Sequence, residues 1–196
     1  MTLQSALQIA LTLLIGALIS IPVGRYLARV VTGRKTFLDP VCNPIDNFMY
    51  VLIGKRVCLE PMTWKAYTVH MLMTNLVMAV LIYLVLLLQD HLPLNPLHFA
   101  GMEPLLAFNT AVSFITNTDW QAYGGETTLS ILSQMAAITF PMFTSAATGF
   151  VVAMAFIRAF TVKSGGADIG NFYRDLIRFT TRVLTPAAFV LAILLI

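Results

Sequence analysis

The chain alternates long apolar runs with short polar segments. The first run, from Leu3 to Val23, contains no charged residue. At ~1.5 Å per residue, a helix of this length crosses the ~30 Å hydrocarbon core of a bilayer. A second apolar run, about Thr63 to Leu88, predicts another spanning helix. A third, about Thr127 to Phe160, is longer than a simple span, so we expect a tilt or a break, with Pro141 as its cause.

The first and last apolar runs of the chain differ from the spanning helices between them. The first run is predicted to be a retained helix and not a signal peptide, because no Lys or Arg precedes it and it ends at Ile21-Pro22. The last run, Val183 to Ile196, covers only ~21 Å. We therefore expect it to be the start of a fourth transmembrane helix, and the chain to be the front part of a longer protein.

Composition agrees with a membrane protein. Hydrophobic residues make up 58% of the chain and charged residues 11%, whereas soluble domains carry about 25% charged residues. The predicted fold class is all-α and integral to the membrane.

The basic residues predict the orientation. All twelve lie in two zones, 25–65 around the start of the second run and 158–182 from the end of the third, and none lies between Gln89 and Thr128. By the positive-inside rule the basic zones are cytoplasmic, and the amino terminus and the segment 89–128 lie outside. The basic character therefore reflects orientation in a lipid membrane, and nothing in the sequence indicates a nucleic-acid partner.

One segment is too short to span. Pro104 suits the first turn of a helix, Glu103 complements its positive end, and the helix is expected to run over 105–115. Its ~16 Å reach about halfway across the bilayer. Thr116 to Asp119 then return as extended chain, which is tolerated at membrane depth only where it is buried in protein or lines a watery cavity. Unpaired carbonyls there can replace the water around an ion, so these residues are interpreted as one quarter of a selectivity filter.

Other polar or small residues in the spans are weaker candidates. His70 and Asn75 lie in the second helix, where polar groups are functional candidates, although His70 can simply reach the interface. Ser145, Gly149 and Ala153 recur every four residues. Such faces let helices pack closely in lipid, and ordinary helix packing is the preferred interpretation.

After the third run, Asp168 is placed to cap an amphipathic helix that carries Arg174, Arg178 and Arg182. A basic helix beside a membrane usually lies on its surface. A docking site for a cytoplasmic partner is the alternative.

Several chemistries lack support in the sequence. Cys42 and Cys58 have neither CxxC spacing nor a nearby His cluster and are predicted to be unpaired thiols. There is no GxxxxGK[ST] phosphate loop and no metal-spaced His/Cys set. We expect a non-catalytic chain without a cofactor, so any ATP hydrolysis that drives it belongs to another subunit.

The sequence motifs around the short helix are distinctive of one protein family. The stretches Asn109–Phe114, Thr116–Thr118, Trp120-Gln121 and Gly125–Thr128 closely resemble the KdpA family, the potassium-transporting A subunits of bacterial Kdp ATPases. The resemblance covers the whole chain. It implies a potassium-channel-like fold of helix, pore helix, re-entrant filter and helix. It also implies that Ile115, Thr116, Asn117 and Thr118 line the filter, with Asp119, Trp120 and Gln121 at its mouth.

The same resemblance implies a larger assembly in the bacterial inner membrane. The resemblance implies that a whole subunit contains four tandem helix–pore helix–helix repeats in one polypeptide. That subunit selects K⁺, while a P-type ATPase subunit hydrolyses ATP. A single-span subunit and a very small membrane subunit complete the complex. The expected parts of this chain are an N-terminal transmembrane helix (1–24), a cytoplasmic loop (25–62), the first repeat (63–160, with the pore helix at 105–115 and the filter at 115–119), a cytoplasmic amphipathic segment (161–182) and the start of a second repeat (183–196).

Asp119 departs from the Asn of the family pattern TNTNWQ. It either adds negative charge at the mouth or makes a structural hydrogen bond to a neighbouring backbone N–H, and the structural bond is the preferred interpretation. For the chain as a whole, two alternatives remain beside the pump subunit. One is a passive potassium channel built from several copies, and the other is an inactive truncated fragment.

Overall fold

The computed structural model describes residues 3–161 and 169–196, and all regular structure in these residues is helical. In chain order the helices are α1 (Leu3–Val31), α2 (Asp39–Ile53), α3 (Lys55–Leu59), α4 (Trp64–Leu87), α5 (Pro104–Ile115), α6 (Gly125–Thr128), α7 (Ile131–Ser133), α8 (Phe140–Thr161), α9 (Phe172–Phe179) and α10 (Thr185–Leu195). A π-helical segment, Gln134–Thr139, joins α7 to α8, and a second, Thr180–Leu184, joins α9 to α10.

Four continuous helical stretches are long and apolar enough to cross a membrane: Gln4–Val31, Trp64–Leu87, Ile131–Thr161 and Phe172–Leu195. Their large apolar side chains are mostly exposed in the isolated chain, as expected of surfaces that meet lipid or other protein in the membrane. The chain is thus an all-helical membrane protein.

The short helix α5 is defined by local signals at both ends. Pro104 occupies its first turn, and the Glu103 carboxylate accepts a hydrogen bond from Leu106 N at 2.8 Å, which satisfies one of the free amides of a helix start. At the other end, Thr116 N donates to Val112 O. The helix packs against α4 and α8. The apolar cluster beneath it consists of Ile82, Leu86, Met102, Ala107, Ala111, Leu129 and Ala137.

The polar zone 25–62 is not the loop that we expected. Helix α1 does not stop near residue 24 but passes through Pro22 to Val31, and α2 and α3 occupy most of the remainder. The end of α1 is held by tertiary contacts, since Arg158 donates to Val31 O at 2.9 Å and Val30 is buried. Such contacts are invisible in the local pattern.

Pro141 does not break the third span. The chain stays helical, and the π-helical segment ends two residues before Pro141. The second π-helical segment ends two residues before Pro186 in the same way. A proline ring clashes with the carbonyl four residues earlier. A wider π turn at that point relieves the clash without ending the helix.

In its described part, residues 169–182, the expected amphipathic segment does not form a helix separate from the last span. Helix α9 continues through the π-helical segment into α10 as one stretch, and the Arg182 side chain is fully buried against α2. The expected cap, Asp168, lies outside the described residues, and the structure shows Asn171 capping α9 through its bond from Arg174 N. An amphipathic pattern cannot tell whether its basic face meets lipid headgroups or protein carboxylates.

Arg182 is the centre of a buried polar cluster. Its guanidinium donates to Asp39 at 3.0 Å, Asp46 at 2.5 Å and Asn43 at 2.7 Å. A bond from the backbone N–H of Thr36 is the main cause that lowers the pKa of Asp39 to about 2, and Arg182 adds to it. This cluster, hereafter the Arg182 cluster, fastens α2 to the last span.

Both cysteines are free and buried in this zone. The Cys42 thiol donates to Thr181 O at 3.3 Å, and burial raises the pKa of both thiols. Raised pKa values make thiols less reactive, so their role here is in packing.

Candidate functional site

Ser113, in the last turn of α5, organises the chain that follows the helix. Its carbonyl accepts hydrogen bonds from Thr118 N at 2.9 Å and Asp119 N at 3.2 Å. Its hydroxyl oxygen accepts a third, from Trp120 N at 2.6 Å. Three consecutive amides therefore point back at one buried residue.

The backbone carbonyl oxygens of this segment have no hydrogen-bond partner in the described structure. Those of residues 115–118 accept no hydrogen bond from any residue that the structure describes. Buried backbone carbonyls almost always have partners, but residues 116–118 are exposed in this chain, so their carbonyls are open to solvent or to an ion. A run of unpaired carbonyls directly after a helix carboxyl terminus, the negative end of the helix dipole, is suited to a cation that has lost its water.

The backbone of this turn is unusual at two positions. Asn117 and Asp119 have positive φ angles of 58° and 56°. Left-handed backbone costs most residues roughly 1–2 kcal/mol, and Asn and Asp tolerate it best after glycine. The turn therefore selects these residue types for backbone reasons, and either Asn or Asp satisfies it at residue 119.

The Asp119 carboxylate does not make the structural bond that we expected. Its Oδ1 atom is buried and has no hydrogen-bond partner among the described residues. The physical reason is competition, because the nearest amides, those of Thr118, Asp119 and Trp120, already donate to Ser113. Buried carboxylate oxygens normally accept a hydrogen bond, so this orphaned oxygen is an unusual feature of the turn.

The other residues assigned to the mouth are accessible. Trp120 is 66% exposed, and Gln121 is exposed with its amide 3.4 Å from the Tyr123 hydroxyl. Thr116 and Thr118 are exposed as well, and their hydroxyls lie 3.0 Å apart. The seven residues chosen from the sequence thus form one continuous, largely open turn, in which Ile115 and Asp119 are half-buried.

A hydrogen bond between α8 and this turn was not predicted from the sequence. The Ser145 hydroxyl donates to the Asn117 side-chain oxygen at 3.1 Å. We had assigned Ser145 to ordinary helix packing with Gly149 and Ala153. That assignment is wrong for Ser145, which is buried against the turn, whereas Gly149 and Ala153 are exposed. No periodic signal links positions 117 and 145.

Gln89 was also missed. Its side chain is fully buried and donates to Ala100 O at 2.6 Å and to Thr128 O at 2.9 Å, while its oxygen accepts from Ser130 N at 3.1 Å. It therefore ties the segment that precedes α5 to the segment that precedes α7. Both connections that frame the turn are held through one amide.

His70 and Asn75 have different surroundings. His70 Nδ1 lies 3.3 Å from the Tyr173 hydroxyl on α9, and its ring meets that of Tyr173 edge-on. Asn75 Oδ1 is buried with no hydrogen-bond partner among the described residues. Neither residue has a hydrogen bond to residues 115–121 in the described structure. No group of three or more His, Cys, Asp or Glu side chains in that part of the chain could hold a metal ion.

Curated relatives are closely similar over the full chain. A protein from Caulobacter vibrioides is 50% identical over 195 residues, covering 100% of this chain and 34% of the relative. One from Alicyclobacillus acidocaldarius is 49% identical over 196 residues, with the same shares. One from Clostridium acetobutylicum is 50% identical and covers 95% of this chain and 33% of the relative. Each carries the name potassium-transporting ATPase potassium-binding subunit.

The chain spans about a third of the length of these relatives. Residues 10–196 match the family described as the potassium-transporting ATPase A subunit. That match includes α5, the turn that follows it, and the last span. The chain therefore belongs to the KdpA family, the A subunits of potassium-transporting ATPases.

Proposed function

We propose that this chain forms the amino-terminal, ion-selecting part of the potassium-binding subunit of an ATP-driven potassium pump. In this proposal, Ile115 to Thr118 are one part of a selectivity filter that binds K⁺ from outside, and Asp119, Trp120 and Gln121 form its mouth. The observation that carries the proposal is the run of carbonyls at 115–118 that accept no hydrogen bond from the described residues, while the amides of 118–120 all donate to Ser113. Potassium is the transported ion and not a resident cofactor.

The geometry supports a filter and not merely a turn. Potassium filters replace the hydration shell of the ion with backbone carbonyls. A chain whose amides are drawn to one side by Ser113 keeps its carbonyls free for that purpose. Helix α5 would enter the membrane from outside as a pore helix, and 116–128 would return as the re-entrant part, a backbone conformation permitted only where it lines a cavity or is buried.

Orientation and partners follow from charge and from the relatives. The basic zones 25–65 and 158–182 would face the cytoplasm of a bacterial inner membrane, which leaves the filter mouth outside. The relatives' name favours a pump subunit over a passive channel of several copies. ATP hydrolysis would lie on a P-type ATPase subunit, and a single-span subunit and a very small membrane subunit would complete the complex.

A chimera tests this proposal. These 196 residues replace the matching third of the Caulobacter vibrioides subunit, to which they are 50% identical, in a host without high-affinity potassium uptake. We expect Rb⁺ and K⁺ uptake only when the P-type ATPase operon is present. Uptake without the ATPase would favour the passive channel. A chimera that inserts stably but never transports would contradict the proposal.

Asp119→Asn tests the charge at the mouth in the same chimera. Because both residue types accept the left-handed backbone, the turn is retained and only the charge is lost. A unit charge a few ångströms from a solvated cation contributes up to about 1 kcal/mol, so we expect K⁺ affinity to fall by up to about fivefold. The loss should shrink as ionic strength rises. Unchanged affinity of Asp119→Asn at low ionic strength would remove any role for the carboxylate in attracting the ion.

A further inference from the structure

Two different helices fix the turn 115–121. Helix α5 fixes its backbone, because Ser113 accepts the amides of Thr118, Asp119 and Trp120. Helix α8 reaches it through one hydrogen bond, from Ser145 Oγ to the side-chain oxygen of Asn117 at 3.1 Å. The two residues of this bond are separated by 28 positions. The bond therefore joins the turn to the membrane span α8 and not to residues that are near it in sequence.

Ser145 behaves differently from the other hydroxyl residues of its helix. Thr144, Thr148 and Thr161 each donate to a carbonyl three or four residues earlier in the same helix, which is the common choice for Ser and Thr in helices. Ser145 is 3% exposed, yet its hydroxyl donates outside the helix, to Asn117. A buried hydroxyl that forgoes the local acceptor is held in one direction by its distant partner.

The preceding π-helical segment, Gln134–Thr139, bears on where Ser145 points. An α-helix advances by about 100° per residue. One extra residue in a π turn rotates everything that follows by about that angle. Ser145 lies six positions after Thr139 and faces the turn, whereas Gly149 on the next turn of α8 has no atom within 4 Å of the place where a side chain would begin.

We infer that Ser145 is a positioning residue for ion selection, which holds Asn117 so that the carbonyls around it keep their spacing. This inference rests on the proposed function. Asn117 occupies a left-handed conformation with φ of 58°, and among the described residues the hydrogen bond of its side chain is the one from Ser145. Discrimination between K⁺ and smaller or larger ions depends on the size and stiffness of the carbonyl cage. Loss of the Ser145 bond should therefore alter selectivity more than the rate of transport.

The test uses the chimeric A subunit in its complete ATPase complex, with K⁺, Rb⁺ and Na⁺ as competing ions. Since a net hydrogen bond is worth about a factor of three to ten, Ser145→Ala should raise the KM for K⁺ by roughly that factor and reduce K⁺ preference over Na⁺. The kcat should change little. The matched control is Thr148→Val, because the Thr148 hydroxyl is also buried but bonds only to Thr144 O.

A second measurement does not depend on transport. In the purified chain, unfolding of Ser145→Ala, Asn117→Gly and the double variant forms a cycle, in which Gly keeps the positive φ of residue 117 and removes its side chain. We expect the two substitutions to be non-additive, so that Ser145→Ala has little further effect once the Asn117 side chain is gone. Thr148→Val and Asn117→Gly should be additive.

Two results would overturn the inference. They are additive effects of Ser145→Ala and Asn117→Gly, and an ion preference of Ser145→Ala equal to that of Thr148→Val. Failure of the unmodified chimera to prefer K⁺ would count against the proposed function, and the unfolding cycle would then decide the positioning inference alone.

Discussion

Arg182→Leu is expected to destabilise the chain by about 3–5 kcal/mol, the usual cost of removing one partner from a buried ion pair. The Arg182 side chain is fully buried, and so, within a few per cent, is that of Asp46, 2.5 Å away. Without the guanidinium, the buried Asp46 carboxylate has no cation and keeps only the hydrogen bond from the Thr181 hydroxyl, and the Asn43 side-chain oxygen loses the bond it accepts from Arg182. The measurement is the free energy of unfolding in detergent micelles by chemical denaturation.

The matched control is Arg56→Leu. Arg56 and Glu60 also form a 2.7 Å ion pair, but their side chains are 87% and 61% exposed, and such pairs contribute between zero and about 1 kcal/mol. A double variant in which Leu replaces both Arg182 and Asp46 should recover part of the loss, because the fully buried Asp46 charge is removed and the orphaned Asp39 carboxylate is 20% exposed and keeps its bonds from Thr36. Equal losses for Arg182→Leu and Arg56→Leu would show that the Arg182 cluster is not buried as described.

Gly101→Ala is the second large effect that we expect. A methyl group at this position would overlap the carbonyl oxygen of Leu87. The backbone cannot yield easily, since Met102 N donates to Leu86 O at 3.0 Å one residue later. Overpacking against fixed atoms costs typically 1–3 kcal/mol. The displacement would reach the start of α5, so the chimera should also lose K⁺ affinity.

Gly149→Ala is the appropriate comparison for that experiment. Gly149 lies inside α8, and nothing lies within 4 Å of an added Cβ. Alanine there should be neutral or stabilise the helix by up to about 1 kcal/mol. Unfolding midpoints and uptake KM values of the two variants give the test. If Gly101→Ala and Gly149→Ala behaved alike, the close approach of residue 101 to the end of α4 would be refuted.

Much of the fold follows from local signals. Helix α4 lies within a residue of its expected bounds because a long apolar run follows the capping residue Thr63. Helix α5 was expected at 105–115 and begins one residue earlier at Pro104, since proline and the capping Glu103 mark its start. Span length and caps are properties of neighbouring residues, so a single sequence contains them.

The features of the fold and of the candidate site that were not predicted depend on contacts between residues that are distant in sequence. The helices in 25–62 are held by partners such as Arg182, 136 positions from Asp46. Arg182 is buried in protein where the basic pattern indicated lipid, whereas Arg174 stays exposed. At the candidate site, the residue types of 115–121 pointed to the turn, but the roles of Ser113, Ser145 and Gln89 come from three-dimensional arrangement. The error at Asp119 arose in the same way, because its available amides were already taken by Ser113.

The left-handed backbone at residue 119 has an evolutionary consequence. Asn and Asp codons differ by one base, and both side chains suit the φ of 56° found there. A single point mutation can therefore switch the charge at this position on or off without rebuilding the turn. Descendants living at different external salt concentrations could exchange the two residues repeatedly, and such exchanges would be visible as independent Asn–Asp replacements on separate branches of the family tree.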